Sequence, residues 1–147
     1  DFGVLEYKCE WKKGIKHGYH FSYYESGALE EKSNYKNDYL DGLHESYYEN
    51  GNLIEKGRYR KSLKEGIWEC YHKNGKLEEK GKFKRGFEDG LWETYYESGF
   101  LWHKGVFKHG EREGPWVFYH DLYKGKIEIN KRDTGFYKND KKIRDLK

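Results

Sequence analysis

The sequence is poor in the residues from which most protein interiors are built. It has no Met, one Pro and two Cys among 147 residues, and 35% of its residues are hydrophobic whereas 37% are charged. An interior filled by aliphatic side chains is therefore not expected, and no apolar stretch approaches the length of a membrane-spanning helix. The 29 basic and 26 acidic residues alternate without a run of five or six like charges, which disfavours a polyanionic partner.

Aromatic residues and glycine are what the chain has in excess. Tyr, Phe and Trp make up 19% of it, and its 18 glycines fit many tight turns. Residue types recur every 24 positions, as in the series Gly18, Gly42, Gly66, Gly90 and Gly114. A fixed period of this length predicts a repeat architecture. We expect one array over residues 1–147, with a partial unit at 1–17, full units at 18–41, 42–65, 66–89 and 90–113, and a degenerate capping unit at 114–147.

Each unit carries a turn signal between two runs of alternating residues. Asn50-Gly51 and Asn74-Gly75 occupy this place in two units, and Ser26-Gly27 and Ser98-Gly99 occupy it in two others. Asn-Gly is typical of a two-residue type I′ turn, because both central residues of that turn need positive φ. Each unit is therefore predicted to be a β-hairpin.

A two-residue turn fixes which residues face each other across each hairpin. It places Trp68 opposite Gly81 and Trp92 opposite Gly105, so that each large ring faces backbone without a side chain. On the other face it pairs Glu45 with Lys56, Glu69 with Lys80, and Glu93 with Lys104. A slip of one residue would destroy both matches. The predicted fold is all-β, with tandem 24-residue β-hairpin repeats forming an elongated, twisted, single-layer antiparallel meander.

One face of this sheet is predicted to be an aromatic ladder. Rings in a single-layer sheet are expected to stay partly exposed, and large exposed apolar patches usually mark interaction sites. The predicted partner-binding residues are Trp68, Trp92, Trp116, Tyr48 and Tyr96. The alternative interpretation is that each ring only packs within the ladder.

The repeated motif also resembles a known family. The run Asp-Gly-Leu-Trp-Glu-Thr-Tyr-Tyr-Glu-Ser-Gly at 89–99, followed by Leu101, Lys104-Gly105 and Phe107-Lys108, is similar to the MORN repeat, and more closely to its bacterial variant. The resemblance implies an all-β array of hairpins that serves as a platform for proteins or lipids. Some bacterial members carry an antitoxin label, and eukaryotic members are associated with phosphoinositide membranes and scaffolding.

No catalytic residue, metal site or cofactor is predicted. His20 and His44 occupy the repeat position of the tryptophans, and no His-x-x-x-His or Cys-x-x-Cys spacing exists. Small residues at one repeat position, Ser22, Ser46, Cys70 and Thr94, do not sit in a nucleophile elbow. Repetition itself argues against an enzyme, because an active site is one place where unlike groups converge. Cys9 and Cys70 fall in different repeats, too far apart for a disulfide.

The sequence favours a non-enzymatic binding or scaffolding module whose aromatic face contacts another protein or a second copy of itself. The alternatives are a platform for anionic phospholipids and an antitoxin-like neutraliser of a cognate toxin. Nucleic acid is disfavoured because the Lys of each Lys-Gly pair faces a Glu, which removes the electrostatic contribution to such binding. The chain begins with Asp1 and lacks Met, so we expect it to be processed or trimmed, and its compartment stays open.

Overall fold

The computed structural model describes residues 7–122 and 126–146, which form one open antiparallel sheet of 13 strands. The strands are β1 (Tyr7–Lys12), β2 (Ile15–Tyr23), β3 (Leu29–Lys36), β4 (Tyr39–Tyr47), β5 (Leu53–Arg60), β6 (Leu63–Tyr71), β7 (Leu77–Lys84), β8 (Phe87–Tyr95), β9 (Leu101–Lys108), β10 (Glu111–Leu122), β11 (Lys126–Ile129), β12 (Gly135–Lys138) and β13 (Lys141–Arg144). Strands β1 to β10 follow one another in chain order, then β12 and β13, while β11 pairs with the end of β10. Among the residues described, no helix has the length and apolarity needed to cross a membrane. The all-β repeat prediction is confirmed.

The predicted pairing register is confirmed away from the loops, whereas beside them Leu77 pairs with Tyr71 rather than His72 and Leu101 with Tyr95 rather than Tyr96. Trp68 pairs with Gly81 and Trp92 with Gly105. The three glutamate and lysine pairs are also strand partners: Glu45–Lys56, Glu69–Lys80 and Glu93–Lys104. The ion pairs themselves also run between hairpins, because the Glu69 carboxylate lies 2.8 Å from both Lys80 of its own hairpin and Lys56 of the preceding one.

The turn type predicted at Asn-Gly is wrong. The N–H of His72 donates to the carbonyl of Lys76 at 2.9 Å, so the loop has three residues rather than two. Within it only Gly75 has positive φ, at 82°, while the Asn74 side chain accepts a hydrogen bond from the N–H of Lys76. This is a type I turn followed by a glycine bulge. A second irregularity leaves Glu78 without a strand partner and thereby restores the predicted register beyond it.

The two-residue turns with positive φ at both positions lie at the opposite ends of the strands, where one hairpin joins the next. Lys61 and Ser62 have φ of 50° and 62°, and the equivalent positions are Asn37-Asp38, Arg85-Gly86 and His109-Gly110. Left-handed conformations are unfavourable for residues other than glycine. A carboxylate of the preceding hairpin stabilises them, because the N–H of Lys61 donates to Asp41 at 3.3 Å and the N–H of Arg85 donates to Glu65 at 2.9 Å.

The core is one row of aromatic rings that crosses the strands. Tryptophan and phenylalanine alternate, each meeting the next edge to face: Trp68–Phe83 at 6.2 Å between ring centroids, Phe83–Trp92 at 5.2 Å, Trp92–Phe107 at 5.8 Å and Phe107–Trp116 at 4.9 Å. Such T-shaped pairs are the favourable geometry for aromatic quadrupoles. We call this row the aromatic ladder.

Each tryptophan ring of the aromatic ladder lies over a glycine, but over the glycine of the preceding hairpin rather than that of its own. A Cβ added to Gly81 would overlap the Trp92 ring, and one added to Gly105 would overlap Trp116. The predicted packing of a ring over a glycine is therefore present, but the glycine belongs to a different hairpin from the one predicted. Each ring is packed between two hairpins, so its burial holds consecutive hairpins together.

Where the array has a ring smaller than tryptophan, the residue beneath that ring is larger than glycine. His44 occupies the tryptophan position in the β4–β5 hairpin, and the residue at the preceding glycine position is Ser33. The Ser33 side chain is fully buried, and its hydroxyl lies 2.8 Å from Nδ1 of His44. Ring size and the residue beneath it therefore change together along the array.

This complementarity can be tested in the β7–β8 pair. Gly81→Ser is expected to destabilise the protein by about 1–3 kcal/mol, because the added side chain overlaps the Trp92 ring. Adding Trp92→His copies the Ser33–His44 pair, so the double variant should be more stable than the two single losses predict, by at least about 0.5 kcal/mol. Urea unfolding monitored by circular dichroism measures all four proteins.

Gly75→Ser provides the matched control because Gly75 lies in a turn outside the aromatic ladder. Its loss should add to that of Trp92→His without coupling. Additive losses for Gly81→Ser and Trp92→His as well would contradict the ring and glycine contact.

Candidate functional site

The tryptophans predicted to bind a partner are buried. Trp68 and Trp116 are each 1% exposed and Trp92 is 5% exposed, so the expectation that these rings stay partly exposed is wrong. Aromatic rings of the neighbouring strands cover their edges, and the Lys64 ammonium lies 3.9 Å from the centroid of the Trp68 ring. The indole N–H groups of Trp68 and Trp116 donate to backbone carbonyls of the preceding hairpins, at 3.2 and 3.1 Å.

The two predicted tyrosines connect one hairpin to the next. The Tyr48 hydroxyl donates to the carbonyl of Tyr71 at 3.1 Å, and the Tyr96 hydroxyl donates to that of Tyr119 at 2.8 Å. Both rings are half-buried. The structure thus brings the five predicted residues to one face, where their contacts are internal to the array. Their assignment to partner binding stays a prediction, and the exposure of side chains favours a different surface.

A buried network on the same face has the composition of a hydrolytic triad. The Ser33 hydroxyl donates to Glu31 and contacts Nδ1 of His44, whose Nε2 lies 3.3 Å from Glu55. Ser33 is 0% exposed, so no substrate carbonyl reaches its oxygen. A serine nucleophile must contact the substrate and have an oxyanion hole beside it. We therefore assign this network a structural role: it packs the hairpin at the repeat position where the later hairpins carry a tryptophan.

Electrostatic contacts hold two glutamates in the charged state. The hydrogen bond with His44, with further contributions from Lys64, lowers the pKa of Glu55 to about 2. Hydrogen bonds from Lys56, Lys80 and Tyr71 lower the pKa of Glu69 to about 2 as well.

The Cys70 thiol, by contrast, is held in its neutral form. Burial, with the nearby Glu79 carboxylate as a further cause, raises the pKa of Cys70 to about 12. A thiol with this pKa stays protonated at neutral pH, and the thiolate is the reactive form of cysteine. In the part of the chain that the structure describes, no group of three or more His, Cys, Asp or Glu side chains is placed to hold a metal ion.

Two rows of exposed apolar side chains lie on the face opposite the aromatic ladder. The inner column is Tyr19, Leu43, Ile67 and Leu91, exposed by 49–60%, and the outer column is Ile15, Tyr39, Leu63 and Phe87, exposed by 37–57%. Each column repeats every 24 residues, and the outer one lies beside the two-residue turns. Sequence reasoning missed both columns, although strand alternation places Ile67 on the face opposite its neighbour Trp68.

Charged residues alternate with the apolar side chains across the sheet. Leu43 pairs with Arg58 across the strands, and Ile67 pairs with Lys82. Between the columns runs a row of carboxylates, including Asp41 and Glu65, which accept hydrogen bonds from the turns of the next hairpin. Arg58 on β5 and Lys82 on β7 are exposed, and they lie between successive members of the inner column.

A shallow cavity of about 360 Å³ interrupts the inner column between Leu43 and Ile67. It forms where the pairing of β5 with β6 shifts between Lys56 and Arg58, which leaves the two strands locally unpaired. Gly66, with φ of 76°, contributes no side chain to fill it. The cavity is lined by charged side chains of both signs, among them Glu45, Arg58 and Glu65.

Comparison with known proteins identifies the repeat. A family described as a MORN repeat variant matches residues 16–37, 40–61, 64–85 and 88–109, together more than half of the chain. The four matched segments correspond to the hairpins β2–β3, β4–β5, β6–β7 and β8–β9. No curated protein matches the chain.

The Glu55 network predicts a specific dependence of stability on pH. A folded-state pKa of about 2 against an ordinary 4.5 means that the stabilisation is complete above pH 4.5 and is lost as the pH falls through about 2. Glu55→Gln should cost about 1–3 kcal/mol at neutral pH, because it removes hydrogen bonds to charged groups. The difference from the native protein should vanish on acidification.

Urea unfolding at a series of pH values measures this difference. Glu49→Gln, which changes an exposed carboxylate beside a turn, is the matched control and should follow the native protein throughout. A loss from Glu55→Gln that does not depend on pH would contradict the assigned role of the carboxylate charge.

Proposed function

From the fact that the chain belongs to the MORN repeat variant family, whose repeats are generally binding and scaffold modules, we propose that this protein is a non-enzymatic protein-binding scaffold. Its contact surface is the inner column together with the outer column. The aromatic ladder on the other face holds the hairpins together and presents this surface.

The observation that supports the proposal is the regular exposure of large apolar side chains on one face. Single exposed apolar residues are ordinary, whereas contiguous exposed apolar patches on soluble proteins usually mark interaction sites. Here eight large apolar side chains recur at two positions of four successive hairpins, with a row of carboxylates between the two columns. Covering one of them fully would contribute about 1.5–3 kcal/mol to binding.

A membrane surface with anionic lipids is the second candidate. The observation that favours it is a row of exposed basic residues beside the outer column: Lys36, Arg60, Lys84 and Lys108. Basic side chains near a surface are attracted to anionic headgroups, and salt screens that attraction. Sedimentation with phosphatidylserine vesicles that high salt abolishes would support this candidate over the first.

Replacing the aliphatic part of the inner column tests the proposal. The triple variant Leu43→Asp, Ile67→Asp and Leu91→Asp should keep its circular dichroism spectrum, because exposed substitutions change stability little. It should lose the proteins that cross-link to the native chain in its own cells, since the apolar contact is removed.

Ile143→Asp is the matched control, because Ile143 is 61% exposed and lies on β13, outside both columns. It should retain the cross-linked proteins. Retention of the same proteins by the triple variant would contradict the proposed surface.

A further inference from the structure

We propose that a cavity lined by residues of the β6–β7 and β8–β9 hairpins binds a quaternary ammonium group. The cavity has a volume of about 270 Å³ and is lined by Trp102 and Tyr96, so we call it the Trp102 cavity. Its volume lies below the usual range of about 300–1,000 Å³ for ligand cavities, which suits a small group. The inference goes beyond the proposed function, because this cavity shares no residue with the inner or outer column.

Aromatic rings line the Trp102 cavity. The Trp102 and Tyr96 ring centroids lie 5.8 Å apart, with planes inclined by 37°. The Tyr96 ring is held by its hydroxyl, which donates to the carbonyl of Tyr119 at 2.8 Å, and the Trp102 ring packs on His103 at 4.6 Å between centroids. Trp102 is 43% exposed, unlike the tryptophans of the aromatic ladder. Part of its indole is therefore open to a ligand, and the faces of such rings attract cations.

Two carboxylates give the Trp102 cavity negative charge. Glu78 and Glu97 line it, and in residues 7–122 and 126–146 no lysine or arginine nitrogen lies within 4.0 Å of either carboxylate. The Lys76 ammonium of the adjoining loop is bound to a backbone carbonyl at 2.7 Å. Nε2 of His72 donates to the carbonyl of Tyr95 at 2.9 Å, so in the neutral ring Nδ1 carries the lone pair, 3.8 Å from Glu78. A cation in the cavity would therefore meet two carboxylates that have no lysine or arginine partner.

The preceding pair of hairpins lacks this set of residues. One repeat earlier, the positions of Glu78, Glu97 and Trp102 are occupied by Ile54, Lys73 and Glu78. That place has no tryptophan, and a lysine replaces one carboxylate. The Trp102 cavity therefore arises from the residues of one pair of hairpins and is not a property of every repeat.

A quaternary ammonium group fits the Trp102 cavity better than the ammonium of lysine does. A lysine ammonium is strongly hydrated, and aromatic faces offer no oxygen to replace the water that it would lose. A quaternary ammonium group has no N–H donor to satisfy, and aromatic faces recognise it. Such groups occur in choline compounds and in the side chain of trimethylated lysine.

Titration of the full chain with choline, followed by NMR of the indole N–H signals, tests the inference. The Trp102 signal is identified by its absence from Trp102→Leu. It should shift saturably, whereas the signal of Trp11, which is 56% exposed, should not. The neutral analogue of choline, in which a tert-butyl group replaces the trimethylammonium group, should bind at least about fivefold more weakly because it lacks the cation–π attraction.

Two variants with matched controls complete the test. Glu97→Lys reproduces the charge found at Lys73 and should weaken choline binding at least about fivefold, whereas Glu49→Lys, at the same repeat position two hairpins earlier, should leave it unchanged. Trp102→Leu, followed through the backbone N–H of Tyr96, should weaken binding to a similar extent. Circular dichroism checks that each variant is folded.

A short peptide with trimethyllysine, and the same peptide with unmodified lysine, identify the carrier of the group. Tighter binding of choline than of the methylated peptide supports a free choline compound, and the reverse supports a methylated protein. Equal binding of choline and its neutral analogue, equal binding of the two peptides, or the absence of a saturable shift with any cation would overturn the inference. So would unchanged choline binding by Glu97→Lys. The triple variant of the inner column should bind choline as the native chain does, so failure of this inference is distinguishable from failure of the proposed function.

Discussion

The structure depends on the contact between a tryptophan ring and a glycine of the preceding hairpin. Trp92 occupies the space that a side chain at Gly81 would need, and the same contact recurs between Trp116 and Gly105. A lone two-stranded hairpin is marginally stable in water because it cannot bury such a ring. Ring and glycine belong to consecutive hairpins, so the burial that stabilises each hairpin also couples it to its neighbour. The array is accordingly stabilised by contacts between adjacent repeats, as is usual for repeat proteins.

This arrangement gives the two faces of a single sheet different roles. One face carries the aromatic ladder, whose tryptophans are almost fully buried, and hydroxyl groups such as that of Tyr48 bond to the next hairpin. The opposite face carries Leu43, Ile67 and Leu91 in a row, more than half exposed. The proposed contact surface lies on the second face, and its spacing follows from the repeat itself.

The sequence predicts the hairpin repeat and its pairing well, because several patterns constrain the register together. Trp92 opposite Gly105 and Glu69 opposite Lys80 satisfy the ring and charge patterns in one register only. Turn types are less predictable because tertiary contacts decide them. Lys61 and Ser62 adopt a type I′ conformation that their own propensities disfavour, and the Asp41 carboxylate of the preceding hairpin stabilises it.

The burial of the tryptophans could not be predicted from the sequence pattern either. Pairing identifies the residue opposite Trp68, but it does not show that the ring leans over Gly57 of the previous hairpin or that Lys64 covers it. The exposed residues follow from strand alternation once the ladder face is known to be buried. Ile67 next to Trp68 is the clearest example.

The contact between ring and glycine can be observed directly by nuclear Overhauser effects in solution. The account predicts strong effects between the indole protons of Trp92 and the α-protons of Gly81, and between those of Trp116 and Gly105. Effects from Trp92 to Gly105 alone, without any to Gly81, would show that each ring packs within its own hairpin and would contradict the account.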